Sequence, residues 1–321
     1  MRECEASVIV PCCNRARLLP AAMACLRRQT AARGSYEVIV VDDGSTDETL
    51  AVAKACLWPQ ASCLRKPNGG LSSARNFGAR QARGRVLIFS DPDMLVCPEF
   101  VESHLRAGGA ADTAVIGAKR EVIAHLPRWL PAWPTIRVLA RLGRRHPYAL
   151  RRAIARIQRS ASLRAVLAVE RLAGGFALLE RYTVPAHLPE PPARLDALAV
   201  PWVFLIGCNF SMQAGSFRRI GGFDEGFRGW GLEDVELAYR FHAQGGSFAY
   251  EPRALGYHQA HAVDERRNRE SLRANLCYFA AKHRSLAVRL HEDYIAGSLS
   301  LEDYDRAVRE AREGGAGYGE A

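Results

Sequence analysis

The sequence lacks the usual marks of a secreted or membrane-spanning protein. No apolar run approaches the roughly 20 residues that a membrane span needs, and the N-terminus lacks the basic-then-apolar layout of a signal peptide. The nine cysteines are scattered, with one adjacent pair at Cys12 and Cys13 and no C-x-x-C spacing of the kind found in zinc sites. We therefore expect a cytoplasmic protein, either soluble or peripherally attached at the inner membrane surface.

Two common phosphate-binding motifs are also absent. No G-x-G-x-x-G follows the first predicted strand, and the chain has no G-x-x-x-x-G-K-[ST] loop. These absences exclude an ordinary dinucleotide-binding domain and a P-loop NTPase. A nucleotidyltransferase would need a glycine-rich, lysine-bearing loop after the first strand, where this chain has Cys12-Cys13-Asn14-Arg15. A nucleotide site in this protein requires a different solution.

What the chain does have is a core-forming composition and a localised positive charge. Its 321 residues are 48% hydrophobic, enough for one large or two modest folded domains. The net charge of +10 resides in residues 125–183, which hold twelve arginines and two glutamates. Because the charge is confined to one segment, we expect no nucleic acid partner. The segment is either a solvated helical face or, with Trp129 and Trp133, a surface for an anionic membrane or a phosphorylated acceptor.

Strand and helix patterns alternate through the first hundred residues. β-branched runs predict three strands, at Ser7–Pro11, Tyr36–Val41 and Arg85–Ser90. Apolar residues at helical spacing predict three helices, at Leu18–Gln29, Asp47–Ala55 and Ser72–Gln81. This order is typical of an α/β fold with an open, mainly parallel nucleotide-binding sheet flanked by helices.

The rest of the chain departs from this alternation. We predict an arginine-rich helical insertion over Thr135–Leu179, a strand-like stretch at Trp202–Met212, a helix at 233–244 ended by Gly245-Gly246, a strand at Phe248–Glu251, and helix from Glu265 to about residue 312. Four parts result: a donor-binding half at 1–124, the insertion at 125–200, an acceptor and catalytic half at 201–264, and a helical C-terminal extension with a flexible tail at 265–321.

Polar clusters follow the predicted strands. In a parallel sheet the carboxyl ends of the strands meet at one edge, where ligands bind. Asp91 and Asp93, separated by the rigid Pro92, offer oxygen ligands suited to Mn²⁺ or Mg²⁺ bridging a diphosphate. The alternative is a turn with a purely structural role.

The segment Arg228–Leu237 places a tryptophan between two glycines, directly before two adjacent carboxylates. The indole of Trp230 offers a flat apolar face that suits a sugar ring. On a helix, Glu233 and Asp234 point about 100° apart, so one can bind a hydroxyl while the other takes its proton. The alternative is a helix N-terminus whose acids favour the macrodipole, with the tryptophan as packing.

Five motifs in this order resemble those of a family 2 glycosyltransferase with the GT-A fold. They are Val8-Ile9-Val10-Pro11 with Asn14, Val41-Asp42-Asp43-Gly44-Ser45-Thr46-Asp47, Asn68-Gly69-Gly70 through Ala74-Arg75-Asn76, Asp91-Pro92-Asp93, and Gly221-Gly222-Phe223-Asp224 followed by Glu233-Asp234. The resemblance covers about residues 5–120 and 200–285. The string Gly229-Trp230-Gly231-x-Glu233-Asp234 is similar to galactosyl- and N-acetylgalactosaminyltransferase domains.

The resemblance implies metal-dependent transfer of a hexose or N-acetylhexosamine from a nucleotide diphosphate sugar, a UDP-sugar, to an acceptor hydroxyl with inversion. Asp234 would be the general base, and Glu233 would bind acceptor hydroxyls. The implied metal ligands are Asp93, Asp91 and His258, with His261 the weaker competitor. The implied donor-binding residues are Pro11, Asn14, Arg15, Asp43, Asn68, Arg75, Asp91 and Asp93. The implied acceptor-binding residues are Trp230, Gly229, Glu233 and Asn209.

Some alternatives stay open at this point. Cys13 stands where the family often has an aromatic residue, which puts base stacking there in doubt. The protein could instead be a non-catalytic or nucleotidyltransferase-like nucleotide-binding protein whose basic insertion holds an anionic partner. Intact Asp91, Asp93 and Asp234 favour an enzyme. The acceptor could be a glycan, a lipid-linked sugar, a peptide or a natural product.

Overall fold

The computed structural model describes residues 4–108, 112–122, 125–127, 163–165, 183–184, 191–192, 194–261 and 263–314. Most of the predicted insertion, including Trp129 and Trp133, lies outside these residues, as does the tail after residue 314. None of the helices in the described ranges has the length and apolar character needed to cross a bilayer.

The first part of the chain forms the strand and helix alternation that the sequence predicts. Its elements are β1 (Ala6–Cys12), α1 (Leu19–Leu26), β2 (Tyr36–Asp43), α2 (Thr49–Ala55), β3 (Ala61–Lys66), α3 (Leu71–Gln81) and β4 (Val86–Ser90). β1 pairs in parallel with both β2 and β4, and β2 pairs in parallel with β3. Every residue of β1, β2 and β4 is buried, as expected for apolar strands covered on both faces.

The remaining elements extend the sheet and add a helical layer. They are β5 (Met94–Val96), α4 (Phe100–Ala107), β6 (Thr113–Val122), β7 (His125–Pro127), β8 (Leu163–Ala165), β9 (Thr183–Val184), β10 (Asn209–Gln213), α5 (Ala214–Arg219), α6 (Glu233–Ala243), β11 (Ser247–Gln259), α7 (Glu265–His283), α8 (Leu286–Ala296) and α9 (Leu301–Glu313), with 3-10 helices at Leu195–Ala197 and Pro201–Phe204. The strand order is β3-β2-β1-β4-β10-β6-β11-β5, with β9 beside β6.

The second half of the sheet mixes strand directions. β10 runs antiparallel to β4 and β6, β11 runs parallel to β6, and β5 runs antiparallel to β11. The antiparallel β5 matters for the site, because its first residue, Met94, pairs with His258. The loop after β4 and the end of β11 therefore meet at one edge of the sheet.

The structure corrects two predicted elements. Pro201–Phe204 is a 3-10 helix rather than strand, because Pro201 opens the turn and Trp202 inserts fully buried between helices. Leu163–Ala165, predicted helical, pairs antiparallel with β7. The stretch from Glu265 to about residue 312 is helical as predicted, and it consists of three helices divided where Arg284 and Gly297 adopt positive φ values of 44° and 78°.

The hydrophobic core lies on both faces of the sheet. Val8 and Val10 contact the cluster beneath α1, whereas Ile9 contacts the opposite cluster, because successive strand side chains point to opposite faces. The second cluster includes Phe279 of α7 and Tyr304 of α9. The C-terminal helices are therefore part of the main core and not an appendage.

Candidate active site

Asp91 and Asp93 lie in a tight turn directly after β4. The turn is closed by the Met94 amide, which donates to the Asp91 carbonyl at 3.1 Å. It sends the two carboxylates to different partners. Oδ1 of Asp91 accepts from Arg75 at 3.1 Å, while Oδ2 of Asp93 lies 3.0 Å from Nε2 of His261 and 3.5 Å from Nε2 of His258.

Asp93, His258 and His261 form a group suited to a metal ion. Each offers one ligand atom, and the three atoms lie within 4.8 Å of one another. Oδ1 of Asp93 is buried and has no hydrogen-bond partner in the described part of the chain. Burial alone would raise the pKa of the Asp93 carboxyl, but His258 and His261 beside it hold that pKa well below its usual range. A buried anion with an unused oxygen between two imidazoles fits a divalent cation.

This ligand group differs from the predicted set of Asp93, Asp91 and His258. Asp91 lies outside it, because its carboxylate turns toward Arg75. His261 takes its place, and lies nearer to Asp93 than His258 does. The donor-binding role of Asp91 stays a prediction, and its side chain is 26% exposed.

The predicted donor residues at the ends of β1 and β2 are joined by hydrogen bonds. Asn14 has a positive φ of 53°, and its Oδ1 accepts from the Thr46 amide at 2.9 Å. Arg15 is half-buried and donates to the Asn14 carbonyl at 3.2 Å, while Pro11 is buried within β1. Asn14 therefore fixes the shape of this edge, and it is itself exposed beside Arg15.

Asp43 is 3% exposed and holds the glycine pair that precedes α3. Its Oδ1 accepts from Lys66 at 2.7 Å and from the Gly69 amide at 3.0 Å, and its Oδ2 accepts from the Gly70 amide at 2.8 Å. Asn68 donates to the Asp43 carbonyl at 2.8 Å. The observed role of Asp43 is to order this loop, and its implied donor-binding role stays a prediction.

Arg75 is the most buried charge of the site, at 1% exposed. Nη1 donates to Oε1 of Glu233 at 2.9 Å and Nη2 to Oδ1 of Asp91 at 3.1 Å. The guanidinium packs over the Phe223 ring, 5.1 Å from its centroid. A Cβ at Gly207 would lie 2.7 Å from it, so the glycine makes room for the bridge. The sequence implies a donor-binding role for Arg75, whereas the structure encloses its guanidinium and pairs it with two acids.

Glu233 and Asp234 begin α6, directly after Leu232, which has a positive φ of 73°. Oδ2 of Asp234 accepts from the Gly207 amide at 2.6 Å, and Oδ1 from the Val235 amide at 2.9 Å. Asp234 is half-buried whereas Glu233 is buried. The two acids therefore differ in access as well as in partners.

The pKa values of Glu233 and Asp234 are both raised, which suits a general base. Burial raises the pKa of Asp234. Burial, and then the neighbouring Asp234 carboxylate, raise the pKa of Glu233 to about 7, although Arg75 opposes that shift. A carboxylate with a raised pKa is a stronger base at neutral pH than an ordinary one. Asp234 combines this property with access to solvent.

Trp230 is 49% exposed and stands between Gly229 and Gly231, whose φ values are 72° and 100°. These left-handed angles strongly favour glycine. They present the indole outward in the segment just before the carboxylate pair, and its role as a sugar-binding face stays a prediction.

Asn209 does not face a ligand. It is fully buried, and Nδ2 donates to the carbonyls of Ala118 and Ala254 at 2.8 and 2.9 Å. Its Oδ1 lies 3.0 Å from Nε2 of His104. The predicted acceptor-binding role is therefore corrected to a structural one, because the amide links three segments inside the fold.

Two asparagines of the site were missed by the sequence interpretation. Asn76 exchanges hydrogen bonds with the Phe223 backbone, its Oδ1 accepting at 2.9 Å and its Nδ2 donating at 2.8 Å. Asn275 of α7 bonds the backbone on both sides of Trp230. The position of Asn76 beside Arg75 in a motif was a usable signal. Asn275 lies in a polar helix with no local signal.

Comparison with known families agrees with this geometry. Residues 7–160 match "Glycosyl transferase family 2", and residues 198–261 match "N-terminal domain of galactosyltransferase". The first range contains the donor-side loops and the second contains both histidines and the carboxylate pair.

A curated relative and two solved structures are similar to the chain. Validoxylamine A glucosyltransferase of Streptomyces hygroscopicus subsp. jinggangensis is 32% identical over 297 residues, which are 88% of this chain and 62% of that protein. The chain thus spans about three fifths of that relative's length. The mannosyltransferase PcManGT of Pyrobaculum calidifontis, solved with GDP-Man and Mn²⁺, has a TM-score of 0.55 at 17% identity, covering 96% of this chain and 69% of that one.

GalNAc-T7, solved with UDP, GalNAc and Mn²⁺, has a TM-score of 0.53 at 17% identity and covers 82% of this chain and 44% of that one. At these identities the structural likeness establishes the fold. Together with the match over residues 7–160 and the sequence relative, it shows that the chain has the GT-A fold and is similar to the family 2 glycosyltransferases.

Proposed function

We propose that the protein transfers a hexose or N-acetylhexosamine from a UDP-sugar to an acceptor hydroxyl, with inversion and with a divalent metal. The observation that carries this proposal is the Arg75 bridge. Arg75 binds Asp91, which lies two residues before the metal-ligand candidate Asp93. It also binds Glu233, which directly precedes Asp234. A cation site and a carboxylate base are thereby held in fixed relation, as transfer from a diphosphate leaving group requires.

Asp93, His258 and His261 would hold the metal. Two imidazoles and one carboxylate favour Mn²⁺ over Mg²⁺, because Mg²⁺ prefers oxygen ligands. A bound divalent ion would neutralise the charge that develops on the departing diphosphate. Asn14, Arg15 and Asn68 line the edge of the sheet where the nucleotide would lie.

Asp234 is the proposed general base. It must be ionised and must reach the acceptor hydroxyl, and its partial exposure meets the second need. The Gly207 amide holds one carboxylate oxygen at 2.6 Å and so fixes its direction. Glu233, buried against Arg75, is proposed to set the position of this pair, and its contact with acceptor hydroxyls stays part of the proposal.

The donor and acceptor are proposed from the similar proteins. UDP is bound in the GalNAc-T7 structure, and the name of the sequence relative indicates a glucosyl transfer, so UDP-glucose and validoxylamine A are the first pair to test. All nine cysteines are unpaired, which suits the proposed cytoplasmic location. Contact of residues 125–183 with an anionic surface also remains a proposal, since most of that segment lies outside the described residues.

The deciding experiment is a screen of nucleotide sugars for slow hydrolysis with Mn²⁺, which needs no acceptor. We expect one UDP-sugar to be hydrolysed and Asp93→Ala to lose both that hydrolysis and metal-dependent nucleotide binding. A protein that binds and hydrolyses none of the donors would contradict the proposal and favour a binding role.

A further inference from the structure

We infer that Asn275 is a positioning residue that holds the loop carrying Trp230 in its acceptor-binding shape. The inference rests on the proposed function for the identity of what the loop binds. Asn275 is 4% exposed. Burying an amide is unfavourable unless its hydrogen bonds are made. The hydrogen-bond partners of Asn275 therefore indicate which segment it stabilises.

Those partners are backbone groups on both sides of Trp230. Oδ1 of Asn275 accepts from the Arg228 amide at 3.2 Å. Nδ2 lies 2.7 Å from the Gly231 carbonyl and 3.1 Å from the Arg228 carbonyl. One side chain therefore uses both its acceptor and its donors to close the segment around the indole.

The rest of this face of α7 contacts the same loop. Ser271, Asn275, Tyr278 and Lys282 are spaced by four, three and four residues, which places them along one side of a helix. The hydroxyl of Tyr278 and the ammonium of Lys282 donate to Oδ2 of Asp224 at 3.0 and 2.7 Å. This side of α7 thus fixes both ends of the loop 224–231.

The loop has little rigidity of its own. Gly229 and Gly231 flank the indole, and glycine has more backbone freedom to lose on ordering than any other residue. A loop ordered before binding spares the acceptor that entropic cost. The loop leads directly into Asp234, so its disorder should affect the acceptor more than the donor. Its Arg228 donates to the Gly69 carbonyl at 3.2 Å on the donor side.

Gly229 provides an independent test of the contact between the loop 224–231 and α7. A Cβ at this position would collide with Oγ of Ser271. Its positive φ of 72° also disfavours any other residue. Gly229→Ala should therefore move the loop off α7 without altering Asn275, and should reproduce the effect of an Asn275 substitution.

The first test measures hydrogen exchange of peptides covering 224–232 in the full-length protein. In Asn275→Ala we expect exchange of this segment to accelerate about tenfold or more, because at least two hydrogen bonds are lost. Peptides from β1 and α3 should be unchanged. Asn275→Asp keeps the size and the acceptor oxygen but sets a carboxylate against carbonyls, so it should open the loop further than alanine does. Arg273→Ala, exposed on the same helix, is the matched control.

The second test separates acceptor from donor. With UDP-glucose and validoxylamine A, Asn275→Ala and Gly229→Ala should raise the acceptor KM about tenfold, the loss expected from an unordered loop, while donor hydrolysis and UDP affinity stay near wild type. If wild type transfers to no acceptor, the proposed substrates fail, yet the exchange result still decides the loop. Unchanged exchange in both variants, or an equal loss of UDP affinity, would overturn the role of Asn275.

Discussion

Arg75 donates to Glu233 at 2.9 Å across 158 residues of sequence, and the two side chains are 1% and 8% exposed. The same guanidinium holds Asp91 on its other side. A buried pair of this kind contributes little net stability compared with an apolar pair, but breaking it leaves an uncompensated charge. The bridge therefore fixes the position of Asp91 relative to Glu233. A substitution of any one of the three residues should alter the other two.

Removing the guanidinium should destabilise the fold. We expect Arg75→Met to lower the free energy of unfolding by about 3 kcal/mol, because the buried carboxyl of Glu233 and the carboxylate of Asp91 both lose the guanidinium that pairs them. Urea denaturation monitored by circular dichroism would measure this. Arg266→Met, which breaks an exposed pair with Glu270, should change little. The double variant Arg75→Met with Glu233→Gln should recover part of the loss, and equal destabilisation in single and double variants would argue against the bridge.

Asp234→Asn should abolish transfer while nucleotide binding persists. The amide cannot take the hydroxyl proton, so kcat should fall by about 10² to 10⁴-fold. The affinity for UDP, measured by calorimetry with Mn²⁺, should remain near wild type because Asp234 contacts Gly207 and Val235 rather than the donor edge. Transfer at the wild-type rate by this variant would refute the assignment of the base.

The raised pKa of Asp234 predicts the acid side of the activity profile. The base works only when ionised, so activity should fall as pH drops through the pKa of this carboxyl. Because burial raises that pKa, the fall should be centred above the value of about 3.9 for a free aspartate. The profile of kcat/KM against pH for wild type would measure it, and a midpoint at or below the free value would contradict the predicted shift.

The group Asp93, His258 and His261 predicts which substitutions weaken metal binding most, and this ranking differs from the one that the Asp91-Pro92-Asp93 motif predicts. His261→Ala and Asp93→Asn should each weaken Mn²⁺ binding by at least about tenfold, because each removes a ligand atom. Asp91→Asn should weaken it much less, since Asp91 faces Arg75. Titration of free Mn²⁺ followed by electron paramagnetic resonance would rank them. If Asp91→Asn weakened Mn²⁺ binding more than His261→Ala does, the ligand set Asp93, Asp91 and His258 would be favoured instead.

Much of the fold and the donor side could be predicted because the signals are local. The strands at Ser7–Pro11 and Tyr36–Val41 are β-branched runs followed by polar residues, and the confirmed helices follow apolar spacing. A strand end places its polar residues at a known edge of the sheet, so the region of Asp43 and Asp93 could be inferred without knowing any contact.

The partners within the site could not be predicted, because they depend on tertiary contacts. Nothing near Arg75 in the sequence indicates that it is enclosed by Glu233 and Gly207. His258 lies near the end of β11 and His261 follows that strand, and their distances to Asp93 show that both histidines lie beside it. Trp202 resembled a strand residue because apolarity marks burial without specifying the element that provides it.

Two buried histidines predict how stability varies with pH. Burial lowers the pKa of His291 and of His104 to about 4, from an ordinary value near 6.5. Between these values the unfolded chain binds protons that the folded protein does not, so the free energy of unfolding should decrease as pH falls from 6.5 to 4. Each histidine would contribute a loss of up to about 3 kcal/mol at pH 4. Urea denaturation across this range would measure it.

The two histidines should respond in opposite ways to replacement by phenylalanine. His291 lies 5.2 Å from Trp202 between ring centroids, and neither of its ring nitrogens has a hydrogen-bond partner in the described residues. His104 lies within 3.0 Å of Ser211 and Asn209. Both substitutions remove a titrating group and should flatten the pH dependence. His291→Phe should also stabilise the protein at pH 7, whereas His104→Phe should destabilise it by leaving two buried polar groups unpaired. Destabilisation by His291→Phe at pH 7 would show that its ring nitrogens are satisfied in solution.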